Sequence, residues 1–369
     1  MRRLSVKRVR ISDLQPGMKT AEDVFSYNNQ MIVPKGSVLD DKMITRLEFY
    51  SVLAVRIADD QDPESEVPTP AETGLGEDTA YSVKVKNSKQ FKKFEQSFLE
   101  NTENFKVKLK DIAESGGEID SHEMIKSITG LIAEDMTGLS VFDMLHNMRQ
   151  YDDLTYVHSM NVALICNVFG KWLGMSGKDI DIITLGGLLH DIGKLKIPDN
   201  IIRKPDKLSP AEYNIIKTHP VQGYNILKDK NIDDNVKQCA LMHHERCDGS
   251  GYPLGLSADK INQYAKIVSI ADVYDAMTAA RVYRGPLCPF KVIGIFESEG
   301  LQKYDGHYIL TFLEHIATTY MNNRVRLNNG MEGDVIFMNR NQYSRPMLQC
   351  GDKFIDLSRE PELYIETFV

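Results

Sequence analysis

The chain has 369 residues, of which 42% are hydrophobic and 26% charged. That length suits two or three domains, and that composition excludes wholesale disorder. A net charge of −8 argues against a basic nucleic-acid-binding surface, so no DNA partner is expected.

The charge is unevenly placed. Asp59, Asp60, Asp62, Glu64, Glu66, Glu72, Glu77 and Asp78 account for the whole of it, which leaves the rest of the chain near neutral. Cys166, Cys239, Cys247, Cys288 and Cys350 are odd in number and dispersed, with no C-x-x-C pair, so reduced thiols and a cytoplasmic location are expected. The opening Met1-Arg2-Arg3-Leu4 leads into alternating charges without an apolar core, which does not read as a signal peptide. No run approaches the ~18 apolar residues of a membrane span.

In chain order, residues 1–58 read as a small mixed unit. Val6 to Leu14 alternates like a strand, Pro16-Gly17 is a turn, and Gln30 to Gly36 is a strand running into a turn. Residues 40–50 read as a short helix and Val52 to Ile57 as a closing strand. Residues 59–80 mix the acids with Pro63, Pro68, Pro70, Gly74 and Gly76, the composition of a flexible linker. Residues 81–150 read as a helical connector, with helices over 88–114 and 121–150. Phe91, Phe94, Phe98 and Phe105 share one helix face, as do Ile125, Ile128, Ile132 and Met136. Helical periods continue through a 151–325 domain. Residues 326–369 read as a β-rich segment, with short strands near Val325, Gly333 to Phe337, Pro346 to Leu348 and Leu363 to Ile365. The fold class expected is mainly α, with a small mixed α/β N-terminal domain and a β-rich C-terminal segment.

Of nine histidines, His158, His190, His219, His243 and His244 have distinctive neighbourhoods. His190-Asp191 closes an apolar helical run, His219 precedes Pro220, and His243-His244 opens His-His-Glu-Arg-Cys-Asp-Gly-Ser-Gly-Tyr-Pro. Downstream, Asp272 and Asp275 share one face of an apolar helix, where a carboxylate is costly unless paired or metal-bound. Imidazoles mixed with carboxylates suit borderline divalent metals, and the count exceeds one tetrahedral site and fits two ions sharing a carboxylate. His122, His146, His307 and His315 read as ordinary surface or core residues. Cys247 reads as a small packing residue, and Lys196, Arg203, Lys204 and Lys207 as a solvated face.

Over roughly 150–320 the sequence resembles the HD-GYP family of cyclic di-GMP phosphodiesterases, a branch of the HD-domain metallohydrolases. The markers are His158-Ser159, His190-Asp191-Ile192-Gly193-Lys194, His219-Pro220, His243-His244-Glu245-Arg246, Asp248-Gly249-Ser250-Gly251-Tyr252-Pro253, Asp272-Val273-Tyr274-Asp275 and Arg281 to Arg284. The resemblance implies an all-α catalytic domain and two divalent metal ions per chain, iron or manganese. His158, His190, Asp191 and Asp272 would hold one ion. Asp191, His219, His243 and His244 would hold the other, with Asp191 bridging. Lys194 and Asp275 would flank a bridging hydroxide, making them catalytic with Asp191. Arg281 and Arg284 would contact phosphate, Tyr252 and Pro253 would pack near a guanine, and Gly251 and Arg246 would complete the substrate site. Some members carry a Glu four residues before the first His, for a third metal. Here that position is Leu154, and Asp153 is poorly phased to replace it, so the site is expected to be binuclear. Cys247 stands where an aromatic is frequent and Val282 where Pro is frequent.

The function implied is hydrolysis of the bacterial second messenger cyclic di-GMP to linear pGpG, with GMP as the product of a second cut. A catalytically silent cyclic dinucleotide sensor and a hydrolase for 3′,3′-cyclic GMP-AMP are the competing readings. Residues 1–58 are expected to form a regulatory or homodimer-forming module that answers to a signalling partner.

Overall fold

The computed structural model describes residues 5–10, 14–25, 31–40, 43–44, 47, 54–59, 85–132, 138–148, 154–202, 204, 209–278 and 287–369. Most of the linker expected at 59–80, and Asp153, Arg203, Lys207, Arg281, Val282 and Arg284, lie outside them. The chain divides into two compact units. One comprises residues 1–77, 199–213 and 281–285, and the other 78–198, 214–280 and 286–369.

In the smaller unit, β1 (Ser5–Arg10) pairs antiparallel with β4 (Ala54–Asp59), from Ser5 opposite Asp59 to Arg10 opposite Ala54. A hairpin joins β2 (Val24–Phe25) to β3 (Met31–Val33). Val9, Ile32, Val33, Leu39, Leu47 and Val55 are buried together as the core of this unit. Asp59 is the last residue of β4 rather than the first of a linker.

The larger unit is mainly α. Its first helix, α1 (Lys89–Glu114), starts at Ser88, whose hydroxyl accepts from the Phe91 N–H at 3.0 Å. Phe91, Phe94, Phe98, Phe105 and Leu109 form its buried stripe. The segment 121–150 is not one helix. It holds α2 (Ser121–Thr129), closed by Gly130, and α3 (Gly138–Asn147). Ile125 and Ile128 therefore belong to α2, Ile132 lies beyond its end, and Met136 is outside the described residues. The apolar spacing ran on past a glycine whose low helix propensity ended the helix.

The core is built on α4 (Leu154–Trp172), α5 (Gly177–Leu189), α6 (His219–Leu227), α7 (Asp234–Met242) and α8 (Gln263–Thr278). Every residue of α5 from Ile182 to Leu189 is buried. Gly186 and Gly187 let its neighbours close in: a Cβ would lie 2.8 Å from Cys239 Sγ at the first and 3.2 Å from the Ala163 backbone at the second. Cys166 and Cys239 are thus packing residues, and all five cysteines are free thiols. A 3₁₀ turn, Ile192–Lys196, follows α5 and lies against the start of α6.

Two further helices, α9 (Pro289–Ile295) and α10 (Gly306–Thr319), lead into a five-stranded antiparallel sheet. Its strands are β5 (Arg324–Leu327), β6 (Glu332–Phe337), β7 (Met347–Cys350), β8 (Lys353–Asp356) and β9 (Ile365–Phe368), in spatial order β8-β7-β6-β5-β9. The expected strands are present near their predicted places, and β8 is an addition. Phe368 packs on Tyr320 and Phe290, which seats the sheet on the helices. Among the described residues, no helix is long and apolar enough to cross a membrane.

Gly193 sets the approach of the 3₁₀ turn to α6. A Cβ there would stand 2.0 Å from the His219 carbonyl oxygen and 2.4 Å from the Gly223 nitrogen, both backbone atoms with no room to yield. Gly193→Ala is expected to destabilise the unit by about 3 kcal/mol through overpacking. Chemical denaturation measures this, and an unchanged midpoint would refute the packing.

Candidate metal centre

Helix termini deliver most of the polar groups. His190 and Asp191 follow the last turn of α5, His219 opens α6, and His243 and His244 follow α7. His158 projects from α4, and Asp272 and Asp275 from α8. Ligand atoms of Asp191, His219, His243 and His244 all lie within 4.8 Å of one another, and so do those of His158, His190 and Asp191. Asp191 belongs to both groups. Its Oδ1 is 3.2 Å from His219 Nε2 and 3.7 Å from His243 Nε2. Its Oδ2 is 3.2 Å from His190 Nε2 and 3.7 Å from His158 Nε2. Asp272 Oδ1 adds to the second group, 3.0 Å from His158 Nε2 and 3.9 Å from His190 Nε2.

The ring tautomers follow from the other nitrogens. His190 Nδ1 is 2.7 Å from the Gly187 carbonyl, His219 Nδ1 is 2.8 Å from Ile216 O, and His243 Nδ1 is 3.0 Å from Ala240 O. A carbonyl carries no proton, so each Nδ1–H donates and each Nε2 of a neutral ring presents a bare lone pair. Yet His219 Nε2 and His243 Nε2 face each other at 3.1 Å. Two lone pairs at that distance repel unless a cation lies between their axes. The buried Nε2 of His190 and Oδ1 of Asp191 have no hydrogen-bond partner of good geometry among the described residues. Orphaned buried acceptors turned toward one another fit a metal ion.

The electrostatics agree. Burial opposes charge on Asp191, but Lys194 and the histidines hold its carboxyl well below the usual range. Asp272 is likewise kept anionic against its burial, by His158. Burial pushes His243 down to about 4 and His244 well below its ordinary value, with neighbouring imidazoles adding to the effect for both. Anionic carboxylates and neutral imidazoles are the protonation states that metal ligation needs.

Asp275 reaches the centre through His158. Its Oδ2 is 2.7 Å from His158 Nδ1, and its Oδ1 accepts from Asn161 Nδ2 at 3.0 Å. It therefore orients His158 from the ring nitrogen that faces away from Asp191. Lys194 Nζ donates to Asp191 Oδ2. Tyr252 stacks on His244, with centroids 4.6 Å apart and planes at 23°, and Lys217 Nζ lies 5.0 Å from the Tyr252 ring centroid. Pro253 follows through a cis peptide bond. Gly251 lies against the 244–246 backbone, where a Cβ would meet Glu245 Cα at 2.4 Å. Arg246 Nη1 donates to the carbonyls of His243 and Glu245, and its guanidinium covers the Tyr304 ring. Arg281 and Arg284 fall outside the described residues. Of the remaining histidines, His315 stacks on Trp172 and His146 meets Phe368.

Sequence reasoning missed Asn161, Glu245 and Lys217. Asn161 stands three residues after His158, on the same helix face, which was a readable signal. Lys217 carried none.

Residues 141–308 match the HD domain family. With His190-Asp191 and Gly251-Tyr252-Pro253 both intact, this stretch is similar to the HD-GYP branch of that family. A cyclic di-GMP phosphodiesterase of Pseudomonas aeruginosa is 32% identical over 209 residues, covering 55% of this chain and 48% of that protein. A 3′3′-cGAMP-specific phosphodiesterase of Vibrio cholerae is 41% identical over 177 residues, 48% of this chain and 38% of that protein. A cyclic di-GMP phosphodiesterase of Thermotoga maritima is 36% identical over 177 residues, 47% of this chain and 48% of that protein. The chain thus matches about half, or less, of the length of these curated relatives.

His158 supplies a pH test of the centre. Burial alone would depress it, but its hydrogen bonds to Asp272 and Asp275 outweigh burial and raise it to about 10. Without metal, the ring is therefore protonated at pH 7, and a ligand ring must be neutral. Metal uptake at pH 7 is expected to release about one proton per chain, with affinity rising as pH climbs toward 10. Calorimetric titration of metal in buffers of different ionisation enthalpy measures the release. Buffer-independent heats would remove His158 from the ligand set.

Proposed function

We propose that the chain is a metal-dependent phosphodiesterase that hydrolyses cyclic di-GMP to linear pGpG in the cytoplasm. One observation carries the reading: a single buried carboxylate, Asp191, lies within reach of two histidine groups, with the Lys194 ammonium on its Oδ2. The HD-GYP markers and the relatives support the substrate class.

His158, His190, Asp191 and Asp272 would hold one divalent ion, and Asp191, His219, His243 and His244 a second, iron or manganese. Such a pair, when bound, supplies Lewis acidity toward a phosphoryl oxygen and a water ionised near neutral pH. Asp191 sets the spacing of the two groups. Asp275 and Asn161 hold the His158 ring in one orientation, a positioning role that leaves the reacting atoms to others. Lys194 donates to Asp191 Oδ2 from a place where its ammonium can stabilise charge developing on a phosphoryl oxygen. In the net reaction water adds to phosphorus, the bond to the ribose 3′ oxygen breaks, and that oxygen leaves with a proton. Arg281 and Arg284 are assigned to the second phosphate, whose geometry their forked donors match. Tyr252, already flat against His244, offers a face for a guanine. Residues 1–58 are assigned a regulatory or dimer-forming role.

A second substrate is favoured by a specific observation: the relative from Vibrio cholerae that is 41% identical carries the name of a 3′3′-cGAMP-specific enzyme. Competition between the two cyclic dinucleotides separates the readings.

Anaerobically purified protein, loaded with Fe(II) or Mn(II) and given cyclic di-GMP, is expected to yield pGpG. Asp191→Ala is expected to lose bound metal and product together while its circular dichroism is unchanged. Faster turnover of 3′,3′-cyclic GMP-AMP would move the assignment to that substrate. Two bound metals without turnover of either nucleotide would overturn the enzyme reading.

A further inference from the structure

Glu245 is a buried carboxylate that the metal groups do not use. It lies 2% exposed, directly after His243-His244. Its Oε1 accepts the Leu254 N–H at 2.6 Å, and its Oε2 accepts the Leu256 N–H at 2.9 Å. Both oxygens are thus bonded to the backbone of the loop that carries Tyr252 and Pro253.

Other contacts fasten the same loop to the same segment. The His244 carbonyl accepts from the Tyr252 N–H at 3.2 Å, and the Cys247 carbonyl accepts from the Ala258 N–H at 3.2 Å. Asp248 and Ser257 form an antiparallel bridge that closes the loop at its base. Gly251 is pressed against the 244–246 backbone. Neutral bonds of this kind are individually modest, whereas a carboxylate accepting two backbone N–H groups away from water is about twice as strong per bond.

We infer that Glu245 is a positioning residue that fixes the register of the 248–257 loop against the His243-His244 segment, and thereby the place of Tyr252 and Pro253 in nucleotide binding. Its part in nucleotide binding rests on the phosphodiesterase reading; its part in loop geometry does not. Glu245 acts on substrate only through the loop. Its loss is felt in binding more than in turnover, because the metal-facing atom of His243 is oriented by that ring's own bond to the Ala240 carbonyl.

Two measurements test this. Hydrogen exchange on the full-length wild type reads the loop directly. The Leu254 side chain is 56% exposed, yet its amide, with that of Leu256, is expected to exchange slowly. Exchange at free-peptide rates would overturn the inference whatever the protein hydrolyses.

The second is Glu245→Gln, which keeps the shape but offers only one acceptor oxygen to two N–H groups. Exchange at 254 and 256 is expected to speed up about tenfold, the scale of one charge-assisted hydrogen bond, with the α8 amides unchanged. KM for cyclic di-GMP is expected to rise at least about fivefold, with kcat within about twofold and metal content unaltered. Loss of metal with kcat, or faster exchange throughout the domain, would assign Glu245 a general structural role and overturn the inference. If the wild type turns over no cyclic dinucleotide, the functional reading fails while the exchange experiments still decide the loop.

Discussion

A carboxylate with almost no contact with water governs the larger unit. An isolated anion in such a place would cost many kcal/mol or take up a proton. Asp191 keeps its charge because Lys194, His190 and His219 stand around it, and each arrives on a different stretch of backbone from the others or from a different turn. That one demand explains the close approach of the 3₁₀ turn to α6, and hence the absence of a side chain at Gly193. It also explains why α5 is buried along its second half: the helix that presents Asp191 must run through the middle of the fold.

The same demand makes the protein's chemistry inseparable from its packing. Without metal, the centre holds a protonated His158 wedged between Asp272 and Asp275, and two imidazole lone pairs set against each other. The first is an ion-pair network and the second a frustration. A divalent cation held by these residues would replace the proton in one and relieve the repulsion in the other. Metal binding would therefore stabilise the fold as well as prepare the chemistry.

Much of this was readable beforehand, for identifiable reasons. His190-Asp191 after an apolar run, the paired His243-His244 and the Asp272/Asp275 spacing are local patterns, and local patterns survive folding. The phenylalanine stripe of α1 was readable for the same cause. What was not legible depended on tertiary partners or on breaks in a pattern. The helix over 121–150 stops at Gly130 although its apolar spacing continues. Strand β8 has Phe354 facing out, 66% exposed, so no clean alternation announced it. The spacing of Asp275 says which helix face it occupies and not which of two ring nitrogens it meets, so its bond to His158 Nδ1 was not legible. Glu245 was quoted only as part of a motif, since its partners are backbone N–H groups nine and eleven residues away.

The placement of the histidines at helix ends has a physical logic of its own. The rings of His190, His219 and His243 each donate Nδ1–H to the carbonyl three residues earlier. In the middle of a helix those carbonyls are taken by the i→i+4 ladder; in the last turn, here that of α5, of a short helix over Pro210–Ile216 and of α7, they are orphaned. A histidine just past a helix terminus therefore finds a free acceptor on its own chain and needs no other residue to set its tautomer. His158 lies within α4, where no such carbonyl is available, and it is the ring that requires a carboxylate, Asp275, and behind that an amide, Asn161. The two-residue support behind His158 and the lack of any behind the other three follow from one rule of helix hydrogen bonding.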